Sequence, residues 1–156
     1  MLFNPKHDNR LYRLTEELRL ASAPTSDLVA HVIANACTRI PVLSKAGKAP
    51  RIDQLIAVGA WSDAALALIE LELPAWKLRR LVYEDGEWLC SLSREPKIPL
   101  ALDDTADASH EVLPLALLSA FVEARSQRSD ERETSSPRVS RVLPTSTNTI
   151  CCDNFY

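Results

Sequence analysis

The stretch Trp76 to Ser93, WKLRRLVYEDGEWLCSLS, sets the tightest limit on what this chain can fold into. Two runs of aliphatic, aromatic and β-branched residues flank Glu84-Asp85-Gly86, and Asp-Gly between such runs marks a tight return of the backbone. The expectation is an antiparallel β-hairpin. A two-residue Asp85-Gly86 turn would oppose Glu84 to Glu87 and mix polar with apolar side chains on both faces. A three-residue Glu84-Asp85-Gly86 loop, with Gly86 left-handed in a bulge, pairs Tyr83 with Glu87 and sorts the faces better. The longer loop is therefore expected. It puts Trp76, Leu78, Val82, Trp88, Cys90 and Leu92 on one face with Arg80, and makes Trp88 a core anchor. The other face then holds Lys77, Arg79, Leu81, Tyr83, Glu87, Leu89, Ser91 and Ser93.

The rest of the chain reads as helix. Leu and Ala together supply 42 of the 156 residues against nine Phe, Trp and Tyr, which favours helices packed by aliphatic side chains. Leu11, Leu14, Leu18 and Ala21 form one stripe from Asp8 to about Ser22. A second helix, capped by Thr25 or Ser26, carries Leu28, Val29, Val32, Ile33, Ala36 and Ile40, and Pro41 is expected to stop it. PVLSKAGKAPR, residues 41–51, reads as a loop. A short helix from Ile52 to about Gly59 and another capped at Ser62-Asp63 and closed by Pro74 form a helical hairpin. Residues 94–108 read as a connection that turns acidic at Asp103, Asp104 and Asp107. A last helix over about His110–Arg125 must begin close to Pro114 or bend there.

From Ser126 on, ten Ser and Thr in 24 residues and no apolar period mark a disordered tail. The expected fold class is thus α+β: a single α-rich domain over 1–125, ordered from about residue 8, with about five helices, one antiparallel hairpin and a disordered tail over 126–156. The start MLFNPKHDNR lacks the apolar stretch of a secretory signal, and no apolar run reaches the roughly 18 residues that span a bilayer. A cytoplasmic protein with no membrane partner is expected.

Several familiar activities find no footing. Lys45-Ala46-Gly47-Lys48 lacks the upstream glycine and the following Ser or Thr of a phosphate-binding loop. The helical hairpin at 52–73 could be taken for a DNA-reading unit, but residues 52–75 hold four acids and no base, whereas such binding leans on phosphate contacts. Asp103, Asp104, Asp107, His110 and Glu111 could supply metal ligands, yet lack the alternation of a calcium loop, and acids before a helix already face its positive dipole end. His31 and Cys37 would lie about 240° apart around one helix. Cys90 with His110 has no supporting motif. Cys151 and Cys152 stand too far from the chain end for a prenylation signal and form no Cys-x-x-Cys pair. Catalytic residues, cofactors and metals are accordingly expected to be none.

With a net charge of −3, the chain as a whole offers no general attraction to nucleic acid. The hairpin's polar face, Lys77, Arg79, Leu81 and Tyr83 with Leu89 across from them, is the expected contact surface, since Arg and Tyr suit protein interfaces. Packing by a helix of the same chain, with the cations snorkelling outward, is the competing account. The function expected is that of a small non-enzymatic interaction or regulatory protein, self-associating or binding a protein partner. Two other readings stay open. One is a nucleic-acid accessory protein using the basic stretch 39–51 with Lys77, Arg79 and Arg80; the other is an enzyme whose site assembles only in the fold.

Overall fold

The computed structural model describes residues 5–47 and 50–134; the expected disorder of residues 135–156 lies outside them, as do Cys151 and Cys152. The fold is α+β. In chain order it runs α1 (Pro5–Leu20), α2 (Ser26–Ala36), α3 (Arg39–Lys45), α4 (Pro50–Ala57), α5 (Trp61–Glu72), β1 (Lys77–Glu84), β2 (Glu87–Ser93), a single 3₁₀ turn (Leu100–Leu102), β3 (Ala106–His110) and α6 (Leu113–Thr134). The strands form one antiparallel sheet in the order β1-β2-β3.

The organising element is α6. Leu115 to Leu118, Ala120 to Val122 and Ala124 are all buried, so this part of the helix is apolar around most of its circumference. A helix of that kind must be covered from several sides. The sheet, chiefly β3 and β2, covers one side, and α1, α5 and α2 cover the others. α1 contributes the expected stripe Leu11, Leu14 and Leu18. α2 contributes Leu28, Val29, Val32 and Ala36, and is capped by Thr25, whose hydroxyl accepts from the Leu28 N–H at 3.2 Å. The alanines of α5, Ala64, Ala65 and Ala67, are buried and permit close approach of neighbouring backbones. Pro114 falls in the first turn of α6, where the missing N–H costs nothing.

Several expectations need correction. The chain does not run on as loop after Pro41: α2 ends at Ala36 and a new helix, α3, starts at Arg39 with Pro41 in its first turn. Its start is capped from a distance. The buried Glu72 carboxylate accepts from the N–H groups of Thr38 (3.0 Å), Arg39 (2.7 Å) and Ile40 (2.7 Å). α4 begins at Pro50 and ends as expected, with Gly59 at φ 74°, Gly59 N–H on Ile56 O and Ala60 N–H on Leu55 O, the paired bonds of a Schellman ending. α5 starts at Trp61, so Ser62 and Asp63 lie in its first turn instead of capping it.

The second correction concerns the turn of the hairpin. Asp85 at φ 51° and Gly86 at φ 87° form a two-residue turn, and Glu84 pairs with Glu87. The structure restores an inside and an outside by placing the extra residue elsewhere: the ladder shifts between Leu78 and Arg80, leaving Arg79 as a bulge. Trp88 is half-buried, packed against the core rather than anchoring it, and the buried tryptophan is Trp76. Third, β3 occupies residues expected to be a connection. Fourth, α6 continues to Thr134, so residues 126–134 are helical and not tail. Gln127 there donates to the Thr105 carbonyl at 3.3 Å, and Glu131 forms a bidentate pair with Arg94, whose Nη1 donates at 2.7 Å to Oε2. That pairing pushes the Arg94 pKa up and pulls the Glu131 carboxyl down.

Two stability outcomes are expected. Glu72→Ala should cost about 3 kcal/mol, because backbone donors at a partly buried helix start lose their acceptor, and Glu72→Gln should cost less by keeping one oxygen. Urea midpoints measure both, and a wild-type midpoint for Glu72→Ala would show that water replaces the carboxylate without loss. Separately, a chain ending at 134 should melt roughly 3–6 °C above one ending at 125, which lacks the Gln127 and Glu131 contacts. Equal melting temperatures would mean those contacts contribute nothing.

Candidate functional site

The sheet presents one edge through β1, and among the described residues no helix or other strand packs extensively on it beyond β2. Register decides what each side of that strand offers. Leu81 lies opposite Cys90 and Tyr83 opposite Trp88, while Val82 faces Leu89 and Lys77 faces Ser93. Because side chains alternate along β2, Trp88, Cys90 and Leu92 point to one side, and Leu89, Ser91 and Ser93 to the other. The five candidate residues therefore do not share a face. Leu81 and Tyr83 stand with Leu78, opposite Leu92, on the side covered by α6. Lys77 and Leu89 belong to the reverse side.

On the α6 side, coverage stops at β2. Cys90, Leu92 and Ala106 are wholly buried, whereas Leu78 is 39%, Leu81 36% and Tyr83 57% exposed. These three form an apolar shelf along β1, bordered by Trp88, whose ring lies 5.1 Å from that of Tyr83 at a tilt of 52°. Leu78 was assigned to the core side by the expected register, so the shelf is larger than the sequence alone indicated.

Arg79 has a different role from the one expected. Its guanidinium pairs with Asp103 and donates to the Ile98 carbonyl at 2.7 Å, and the Ser93 hydroxyl donates to the same Asp103 carboxylate. The side chains of Arg79 and Asp103 are only 16% and 3% exposed. The bulge thus aims a cation into a nearly dry network that fastens the 94–105 connection to β1. Lys77 is exposed, and Arg80 lies 3.8 Å from Glu84.

Of the other chemistry-bearing groups, Asp104 and Glu111 are exposed, while Asp107, His110, His31, Cys90 and Cys37 are occupied or buried. Asp107 accepts from the Thr105 hydroxyl at 2.8 Å, and the His110 Nδ1 accepts from the Val112 N–H at 2.9 Å. Among the described residues no three His, Cys, Asp or Glu side chains gather around a common point. His31 meets Glu17 at 2.6 Å at the surface. Burial pushes the Cys90 thiol up to about 12, with Asp107 adding to it, and pushes Cys37 up further, helped by Glu72, so neither is a thiolate at neutral pH.

One recess went unread in the sequence because its parts come from separate elements. A cleft of about 430 Å³ is lined by Arg39, Trp76, Arg94, Arg128 and Glu131 among others, with the Arg94 guanidinium 5.2 Å over the Trp76 ring. Arg94 is committed to Glu131, and Arg39 donates weakly to the Leu71 carbonyl at 3.4 Å. The cleft can accept an anion through Arg39 and Arg128, but its strongest donor is already paired. Among the described residues no helix is long and apolar enough to cross a membrane. Comparison with protein-family models, curated proteins and solved structures finds no match.

The Arg79–Asp103 pair yields a test. Asp103→Ala should lower stability by about 3 kcal/mol, since it strands a largely buried guanidinium, while replacing Arg79 and Asp103 together by Met and Leu should recover most of that loss. Denaturant midpoints of the three proteins measure it. If Asp103→Ala is neutral, the connection is not held by this network.

Proposed function

We propose that this chain is a small non-enzymatic interaction protein of the cytoplasm, with a binding or regulatory role, that engages another polypeptide along β1. The observation that supports the reading is the edge strand itself, with Leu78, Leu81 and Tyr83 exposed beside it. An uncovered edge offers unpaired backbone N–H and C=O groups in a row, and a second strand laid against it gains hydrogen bonds from the ladder and contact from alternate side chains. Tyr83 and Leu81 supply the apolar contact and Lys77 the flanking charge. Leu89 supports β1 from the reverse side through Val82, and Arg79 holds the strand in place through Asp103.

An accessory role on nucleic acid draws less support. Of the basic residues it would use, Arg79 is neutralised by Asp103, Arg80 lies near Glu84, and Arg39 sits apart in the Trp76 cleft. Lys45, Arg51 and Lys77 remain exposed among the described residues, but the chain's net charge of −3 gives them no general support toward a phosphate backbone.

The test is Leu81→Lys combined with Tyr83→Lys, changes at exposed positions that should each alter stability by about 0.5 kcal/mol or less. The variant should keep the circular dichroism of the wild type and lose proteins that co-purify with it. Val58→Lys, at an exposed site in the turn after α4, should keep them. Retention of every co-purifying protein by the β1 variant would place the interface elsewhere.

A further inference from the structure

We propose that the occupant of the β1 edge is a second copy of this chain, paired antiparallel about Val82, so that Leu81 of each copy meets Tyr83 of the other and Arg80 meets Glu84. The proposal rests on the strand-pairing reading above and adds the partner and the register.

Backbone alternation restricts the registers. The two-residue turn makes Glu84 and Glu87 the hydrogen-bonded pair that closes the hairpin. Stepping back along the ladder, Val82 with Leu89 and Arg80 with Ser91 also point their N–H and C=O groups at each other. Tyr83 and Leu81 must then direct theirs away from β2, toward the free edge. A two-fold antiparallel pairing has to join outward groups to outward groups, so its axis can fall at Leu81, Val82 or Tyr83.

Side chains choose among the three. An axis at Leu81 sets Tyr83 against Arg79, the bulged residue already held by Asp103 and Ile98. An axis at Tyr83 sets Leu81 against the turn residue Asp85, whose φ of 51° is outside any ladder. An axis at Val82 avoids both faults. It gives two Leu81–Tyr83 pairs, each exchanging both backbone bonds, with the exposed side chains joining into one apolar strip on the α6 side of both sheets. On the reverse side it sets Arg80 of each copy against Glu84 of the other. Those two side chains lie 3.8 Å apart within one chain, so they share a face and suit exchange across the axis. Charge and shape are self-complementary, as an isologous contact requires.

The start of β1 is guarded by the bulge at Arg79 and by the exposed Lys77, whereas Arg80–Glu84 has no bulge and its two exposed charges are of opposite sign. The other edge, β3, is short and faces α6 with only Ala106, Ala108 and His110. An interface built on one strand is small, so dimerisation belongs in the micromolar range of dissociation constants.

Sedimentation equilibrium of the full chain from about 1 to 500 μM should show a reversible monomer–dimer equilibrium in the micromolar range. Arg80→Glu and Glu84→Arg should each weaken it about tenfold by putting like charges opposite, and an equimolar mixture of the two should recover heterodimer. In a chain with Cys151→Ser and Cys152→Ser, Val82→Cys should form a disulfide-linked dimer under oxidised glutathione, because a non-hydrogen-bonded cross-strand pair has its Cα atoms about 4.5 Å apart. A wild-type chain that stays monomeric throughout overturns the second copy as occupant, and if the Leu81→Lys, Tyr83→Lys chain still loses its co-purifying proteins the broader reading stands. Failure of the mixture to recover dimer, or cross-linking at Leu81→Cys in place of Val82→Cys, overturns the register.

Discussion

The packing of the helices depends on one buried carboxylate. Glu72 ends α5, and its side chain reaches back to the start of α3, taking the N–H groups of Thr38, Arg39 and Ile40. Buried carboxylates are tolerated only when such donors surround them, and the start of a helix supplies both the donors and a positive dipole end. The bond network sets where α2 must stop and how sharply the chain turns into α3. It also fixes the end of α5 beside that corner, and Trp76, four residues on, enters the core at the mouth of β1. Hydrophobic contact alone would leave these helices free to slide, since aliphatic surfaces are not directional. The carboxylate gives the corner a unique geometry.

Coverage of α6 explains the uneven sheet. The helix is apolar around most of its buried part, so it draws β3 and β2 against one side and α1, α2 and α5 against the rest. A helix is about 10–12 Å across with its side chains, and strands are spaced at nearly 5 Å, so one helix shields about two strands. The third strand projects beyond it. Leu78, Leu81 and Tyr83 stay exposed because the chain has no second helix on that side among the described residues. The exposed shelf is thus what remains when one helix packs on a sheet one strand too wide for it.

Elements with strong local patterns were legible in the sequence: the α1 and α2 stripes, the Thr25 cap, the Gly59 ending, the hairpin between Trp76 and Ser93, and the placement of Pro114. The misses have a common physical cause, since each depends on a partner far away in sequence. No side chain within α3 announces its start, because Glu72 supplies the cap from α5. β3 reads ADASH and has little β-propensity; its alanines suit the space between β2 and α6, and tertiary packing decides its state. In the sequence the two-residue turn looks unfavourable because it disorders the two faces, an objection the bulge at Arg79 removes. That bulge was hidden for the same reason, since its stabilising partner is Asp103. Among the candidate residues, Lys77, Leu81 and Tyr83 were found in the open, Leu89 behind the strand, and Arg79 in a network.

The bulge also bears on how well this edge could template a fibre. A regular β1 would present eight residues, KLRRLVYE, as one flat template along an open edge. Stacked cross-β assemblies grow from uninterrupted segments of roughly six or seven residues with little charge. Arg79 divides the strand, so the uninterrupted part from Arg80 to Glu84 falls below that length, and the charged residues at its two ends interrupt any dry side-chain zipper. A strand cut in this way can accept a single neighbour and still resist polymerisation. The supernumerary arginine is thus a molecular stop as well as a fastening.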